Sequence, residues 1–132
     1  MIAITNNIEE AQIIESCGIQ QILVDIENIG KSERQSGTNA VINFHNIEDV
    51  TNLKYHGIKA KIICRINSFH TGSFSEIDDV INAKADFIMI PMINNINHYV
   101  KMISYIGDRI EVIPLIETPY SVFKINDLMC QI

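Results

Sequence analysis

The chain has 132 residues, of which 47% are hydrophobic, and its 16 Asp and Glu against 10 Lys and Arg give a net charge of −6. This length predicts a single domain spanning residues 1–132, and the apolar share is too high for a disordered chain. The acidic balance argues against a nucleic-acid partner, because phosphate binding requires a basic surface.

The cysteines and the longest apolar run bear on the cellular environment. Cys17, Cys64 and Cys130 form no C-x-x-C pair, so neither a disulfide framework nor a zinc knuckle is indicated, and we expect buried, reduced thiols. The first residues lack the segments of a signal peptide, and the apolar run 87–93 is far shorter than the roughly 20 residues of a membrane helix. We therefore expect a cytoplasmic protein without a membrane partner.

Short runs rich in Ile and Val, largely unbroken by polar residues, predict strands that are buried on both faces of a parallel sheet. In chain order these runs cover residues 2–4, 22–26, 62–66, 87–91 and 112–116. A further run at 40–44 is either an extra strand or part of a long loop.

Amphipathic stretches alternate with these runs, and each begins at a residue type that caps helices. In the last stretch Pro119 takes the first helical position, and Val122, Ile125 and Met129 have helical spacing. The helix starts are expected at Asn7, Asn46, Ser75, Asn95 and Thr118.

Gly18, Gly57 and Gly107 follow three of the helical stretches, where a left-handed C-cap is expected. The alternation of strand, helix and glycine is typical of β/α units and predicts an α/β fold. The one long polar loop covers residues 28–39, and loops of this length inside a compact domain tend to be functional.

Polar side chains gather where the predicted strands end, and ligands of parallel β/α folds bind at the carboxyl ends of the strands. If the strands are neighbours, the carboxylates there suit a divalent metal, and the Arg suits a substrate carboxylate or enolate. The residues at these ends are Thr5, Asn6, Asp25, Glu27, Arg65, Asn67, Pro91, Glu117 and Thr118.

Structural roles for the same side chains remain open at this point. Glu117 fits a helix N-terminal carboxylate, which the helix dipole favours. Asp25 and Glu27 fit ion pairs with Arg65 or Arg34, and Arg65 fits a structural ion-pair partner.

Three further residues are candidates for the site. His45 ends the run 40–44 and is the one histidine that we consider for catalysis, as a proton shuttle. Lys31 and Arg34 lie in the polar loop, where they either reach an anionic substrate or remain solvated surface charges.

Five short motifs, in this order along the chain, resemble the HpcH/HpaI aldolase and citrate lyase beta-subunit family. The resemblance extends from Ile2 to about Leu128. The motifs are VDIEN at 24–28, GKSERQ at 30–35, RIN at 65–67, ADFIMIPMI at 85–93 and PLIET at 114–118.

The resemblance implies a TIM barrel that makes or cleaves carbon–carbon bonds of pyruvate-type 2-oxo acids or related acyl substrates, through an enolate held on Mg or Mn. By motif, Glu117 resembles a metal ligand and Arg65 resembles the residue that holds the carboxylate or enolate oxygen. Asp25 and Glu27 resemble the acidic strand end beneath the metal-bound water.

The chain departs from the family pattern in four ways. It has about five of the eight strands of a barrel, which needs at least roughly 200 residues, and it lacks the segment that carries the second metal ligand. Glu27-Asn28 stands where some members have Glu-His, and Pro91-Met92 stands where citrate-lyase-like members often have Pro-Lys.

Three functional hypotheses follow. The first is a metal-dependent carbon–carbon lyase whose missing strands are supplied by a partner chain or a longer product. The second is a catalytically inactive truncated remnant of that family. The third is an open, five-stranded, flavodoxin-like binding domain. Exposed sheet edges and the resemblance both favour a homo-oligomer.

Overall fold

Five strands and six α-helices alternate along the chain in the computed structural model, which describes residues 1–29 and 45–131. The strands are β1 (Ile2–Ile4), β2 (Gln21–Asp25), β3 (Lys61–Arg65), β4 (Phe87–Ile90) and β5 (Glu111–Pro114). The helices are α1 (Ile8–Ser16), α2 (Ile47–Tyr55), α3 (Ser73–Asn82), α4 (Ile96–Ile106), α5 (Pro119–Phe123) and α6 (Ile125–Met129), with a 3₁₀ turn at Gly107–Arg109. Lys31, Arg34 and the run 40–44 lie outside the described residues.

All the strands of the described sheet are parallel, and each pairs with the next strand along the chain in the order β1-β2-β3-β4-β5. The expected α/β fold with alternating β/α units is therefore confirmed. Within residues 1–29 and 45–131 the sheet is open, with β1 and β5 at its edges.

The two faces of the sheet differ in what covers them. Side chains that alternate along each strand divide between two apolar clusters, as the period of two in a strand requires. The larger cluster combines residues of the strands with residues of the helices, so the described helices lie on one face of the sheet. The larger cluster includes Ile22, Val24, Ile62, Cys64, Ile88 and Ile90 from the strands and Ala11, Val50, Leu53, Ile77, Val80, Tyr99, Met102, Ile106 and Leu128 from the helices. The smaller cluster, on the other face, holds Leu23, Ile63 and Met89 with the partly buried Phe87, Ile113 and Leu115.

Local signals fix most helix ends. The Asn46 side chain accepts from the Asp49 N–H while the Asp49 side chain accepts from the Asn46 N–H, a reciprocal cap that satisfies two otherwise unpaired donors. Gly57, after α2, has φ +74°, a backbone conformation that side chains with a Cβ rarely adopt. Gly18 also has positive φ, as a left-handed C-cap requires. Gly107 has φ +54° but ψ −140°, so the left-handed C-cap expected there is wrong, although the positive φ still favours glycine.

The C-terminal region and α3 differ from prediction. The one helix expected after Thr118 is broken at Lys124 into two short helices. Val122, Ile125 and Met129 are exposed, and Leu128 is buried. Helix α3 begins at Ser73, two residues before the predicted start.

The expectation of three buried thiols is wrong for Cys17 and Cys130, which are exposed. Cys64 is buried on the helix side of β3, and burial raises the pKa of its thiol, an effect to which the Glu76 and Asp25 charges add. In the described part of the chain, no helix has both the length and the apolar character of a membrane span.

Asp86 ties the start of β4 to β3 and α2. Its carboxylate accepts from the Ile62 N–H at 2.8 Å and from Lys61 Nζ at 3.1 Å, and it also pairs with Lys54. Burial alone would raise the pKa of Asp86, but these hydrogen bonds outweigh it, so the pKa lies below its usual value. The carboxylate therefore stabilises the fold above the unfolded pKa of about 3.9, and this stabilisation is lost as pH falls below that value.

We expect Asp86→Asn to lower the free energy of unfolding by about 1 kcal/mol at pH 7, because it removes charge-assisted hydrogen bonds. Urea denaturation between pH 7 and pH 3 measures this difference, which should shrink as the wild-type carboxylate is protonated. Asp79→Asn, at an exposed position of α3, is the control and should change little. A loss that is equal at both pH values would contradict the assignment.

Candidate functional site

The register of β2 against β3 places Asp25 directly beside Arg65 at the carboxyl end of the sheet. Arg65 Nε donates to Asp25 Oδ1 at 2.8 Å, and Nη2 donates to Oδ2 at 2.7 Å. By alternation both side chains share the face of Leu23 and Ile63, opposite the helices. The structure thus brings these two predicted site residues together as a two-point ion pair, the geometry that an Arg–carboxylate pair favours.

Glu27 is a second carboxylate close to the Arg65 guanidinium. Its side chain is buried, and Oε2 lies 3.5 Å from Arg65 Nε. The Glu27 backbone N–H donates to Asp25 Oδ1 at 3.3 Å, which fixes the turn that follows β2.

The hydrogen bond to Asp25 raises the pKa of Arg65, burial acts in the opposite direction, and the charges of Asp25, Glu27 and Glu117 raise it further. The guanidinium is therefore permanently charged. Its Nη1 group makes no hydrogen bond within residues 1–29 and 45–131, so two N–H donors remain for a ligand on the sheet face that carries no helix.

Glu117 follows β5 and immediately precedes Thr118, the N-cap of α5. Its Oε1 accepts from the Met92 N–H at 2.9 Å, and Met92 has φ +49°, a strained conformation outside glycine. The other oxygen, Oε2, has no hydrogen-bond partner in the described part of the chain, and the side chain is exposed. Glu117 and Arg65 stand on opposite sides of β4 and interact through their charges.

His45 lies beside the Asp25–Arg65 ion pair. Its Nδ1 accepts from the Asp25 backbone N–H at 2.9 Å, so the proton of the neutral ring is on Nε2. The proposed shuttle is therefore held beside the ion pair by the backbone of β2.

These residues supply only part of the ligands that a metal site needs. Among the described residues no group of three or more His, Cys, Asp or Glu side chains is arranged to hold a metal ion. Asp25 and Glu27 lie beside Arg65, and of these three described carboxylates Glu117 is the exposed one. The expected substrate-binding residues Lys31 and Arg34 lie outside the described residues.

A second network, centred on Asn67, was identified only in part from the sequence. Asn67 Oδ1 accepts from the N–H groups of Asn28 and Ile29 at 2.9 and 2.8 Å, and its Nδ2 donates to Glu76 Oε1 at 2.5 Å. His70 Nε2 lies 3.3 Å from Glu76 Oε2. The sequence marked Asn67 as a strand-end residue, but nothing local connects it with Glu76 on α3.

A scan against models of protein families finds no match to this chain, and a search of curated proteins finds no significant match either.

Asn67→Ala should release the segment after β2. We expect the amides of Asn28 and Ile29 to exchange with solvent at least about tenfold faster, because they lose their shared acceptor. Hydrogen-exchange NMR measures this, and Asn82→Ala, at an exposed end of α3, serves as the control. Unchanged exchange at both amides would show that Asn67 does not hold the segment.

The Asp25–Arg65 pair should be strongly coupled because it is mostly buried, with side-chain exposures of 13% and 21%. A double-mutant cycle with Asp25→Asn and Arg65→Gln should give a coupling free energy of about 1–3 kcal/mol. The matched cycle uses Asp78→Asn and Arg109→Gln, an exposed pair on the helix layer, and should give a much smaller coupling. If the two cycles gave the same coupling free energy, the Asp25–Arg65 pair would not behave as a buried ion pair.

Proposed function

We propose that this chain forms part of a (β/α)₈-type carbon–carbon lyase of the HpcH/HpaI aldolase class, acting on a pyruvate-type 2-oxo acid or a related acyl substrate through an enolate. The observation that carries the proposal is Arg65, which lies at the carboxyl end of a parallel sheet near three carboxylates. Its Nη1 donors have no partner among the residues that the structure describes. That is the end at which β/α barrels bind their substrates.

The order of the strands supports a barrel-type sheet. When each parallel strand pairs with the next one and all crossovers have the same hand, the helices fall on one face, as in a β/α barrel. A flavodoxin-like sheet has the order 2-1-3-4-5 with helices on both faces. The observed order 1-2-3-4-5 therefore argues against the open, flavodoxin-like alternative.

The proposal includes a divalent cation, Mg or Mn. Glu117 is exposed, and its Oε2 accepts no hydrogen bond from the described residues. Its charge acts on Arg65 together with those of Asp25 and Glu27. A cation bound at Glu117 would attract an anionic substrate to this end of the sheet.

Glu117 is the proposed metal ligand, through Oε2. Mg²⁺ commonly uses one or two protein carboxylates and completes its shell with water and substrate oxygens, so a single carboxylate is a minimal site. The donor set fits only in part, and the second protein ligand must come from outside the described residues. When bound, the metal would supply Lewis-acid stabilisation of the developing negative charge.

The protein groups have distinct roles in the proposal. Arg65 donates from Nη1 to the substrate carboxylate or enolate oxygen, and Asp25 holds the guanidinium plane so that this donor is oriented before substrate arrives. Glu27 adds a charge that keeps Arg65 in place. His45 is the proposed proton shuttle, because the Asp25 amide fixes its ring through Nδ1. Lys31 and Arg34 remain proposed substrate-binding residues.

The remnant hypothesis has one observation in its favour. Asp25 already satisfies Arg65 at two points, so the ion pair is complete without any substrate. A protein with this site could bind an anion weakly and catalyse nothing.

A homo-oligomer is also proposed. In the described residues β1 forms one edge of the sheet, and its Ile2 and Ile4 are 43% and 55% exposed. Exposed apolar side chains on an edge strand favour association with a second chain.

Enolate formation can be tested without knowing the aldehyde or acyl partner. In D₂O with Mg²⁺, the full chain should catalyse exchange of the pyruvate methyl protons, followed by NMR. We expect Glu117→Gln to slow metal-dependent exchange at least about a hundredfold, because it removes the charged ligand. The control is Glu111→Gln at the other end of β5, which should have no effect.

Arg65→Lys should weaken binding of oxalate, a planar enolate analogue, because Lys lacks the fork geometry of Arg. Arg109→Lys on the helix layer is the control. Thermal melts with Mg²⁺ and oxalate measure this. If oxalate binds but the methyl protons do not exchange, the remnant hypothesis is favoured. If oxalate does not bind and the protons do not exchange, the lyase proposal is ruled out.

A further inference from the structure

His70 lies in the turn between β3 and α3, and both of its ring nitrogens have partners. Nδ1 accepts from the Gly72 N–H at 3.1 Å, and Nε2 lies 3.3 Å from Glu76 Oε2. A ring nitrogen that accepts from an N–H carries no proton, so the proton of the neutral ring is on Nε2 and is donated to Glu76. The neutral form of His70 therefore closes the turn and joins it to α3.

Gly72 lies so close to this ring that a side chain would not fit beside it. A Cβ atom at Gly72 would lie 2.9 Å from Cε1 and 3.3 Å from Nδ1 of His70. The backbone of Gly72 has φ −94°, which any residue can adopt, so its conformation does not require glycine. The absence of a side chain instead allows the Gly72 N–H to reach Nδ1.

The Glu76 carboxylate connects His70 with Asn67. The Glu76 side chain is 14% exposed, and it accepts from the Asn67 backbone N–H at 3.2 Å as well as from Asn67 Nδ2. Asn67 in turn holds the N–H groups of Asn28 and Ile29. A continuous series of hydrogen bonds thus runs from the turn before α3 to the segment after β2.

Three elements bring ionisable groups near His70. Glu76 on α3 is its salt-bridge partner in the described part of the chain. Cys64 on β3 is buried, and burial together with the Glu76 charge raises the pKa of its thiol, so the thiol stays uncharged. His98 on α4 stacks on Phe69, the residue before His70.

We propose that His70 is a pH-sensitive latch that holds the segment after β2 while its ring is neutral. When Nδ1 gains a proton, two N–H groups face each other and the hydrogen bond to Gly72 is lost. The charged ring moves away from Gly72 and forms an ion pair with Glu76, which then bonds less well to Asn67. The hydrogen bonds from Asn67 to the segment after β2 weaken as a result. This latch does not depend on the lyase proposal.

Amide exchange and imidazole ¹⁵N NMR of the full chain test the latch between pH 8 and pH 5, the range in which histidines change charge. At the upper end of this range the ring of His70 should carry a proton on Nε2 and none on Nδ1. As the ring gains its second proton, the protection factor of the Gly72 amide should fall about fivefold, as the loss of one hydrogen bond predicts. Those of Asn28 and Ile29 should fall at least about twofold, while that of Val80, buried in α3, should not change.

His70→Gln keeps an amide oxygen near Gly72 but does not titrate, so the pH response of the three amides should disappear. His98→Gln is the matched control and should keep the response, because the ring of His98 contacts Phe69. His45→Gln should also keep it, which separates the latch from the other histidine beside β2.

The latch is wrong if Nδ1 of His70 carries the proton at pH 8, or if the Gly72 amide keeps its protection while the ring is protonated. It is also wrong if Gly72 responds but Asn28 and Ile29 do not, or if the response at these two amides survives in His70→Gln. The measurements on the wild-type chain decide the matter even if His70→Gln does not fold.

Discussion

The parallel pairing of each strand with the next along the chain is the constraint on which the other features depend. A parallel partner can be reached only by a crossover, and when every crossover has the same hand the helices must cover the same face. All carboxyl ends then meet at one edge of the sheet. The face opposite the described helices carries the Asp25–Arg65 pair at that edge, while the face under the helices buries the larger apolar cluster.

At the carboxyl edge, Arg65 determines the electrostatics. A partly buried guanidinium requires a counter-charge, and Asp25 supplies it at two points. The charges of Glu27 and Glu117 act on the same guanidinium. This concentration of charged groups at one edge of the sheet is the physical reason for the proposed cation and anionic ligand.

Sequence reasoning was accurate where the cause of a structure is local. The caps at Asn46 and Gly57 depend on residues within one helical turn, and unbroken Ile and Val runs predicted the parallel strands. Sequence reasoning failed where contacts between segments that are distant in the chain determine the structure. Helical spacing alone did not reveal the break at Lys124. The pairing of Asn67 with Glu76 depends on how α3 docks after β3, and no spacing rule indicates it.

The consecutive strand order also shapes how the molecule gains and loses structure. Each strand finds its partners within a few tens of residues, so no contact in the sheet requires the two ends of the described chain to meet. Such an array approaches a linear series of units coupled to their nearest neighbours. Folding can then spread outward from the central strands with little loop-closure entropy. Fraying should begin at β1 and β5 and leave the Asp25–Arg65 contact among the last interactions to open.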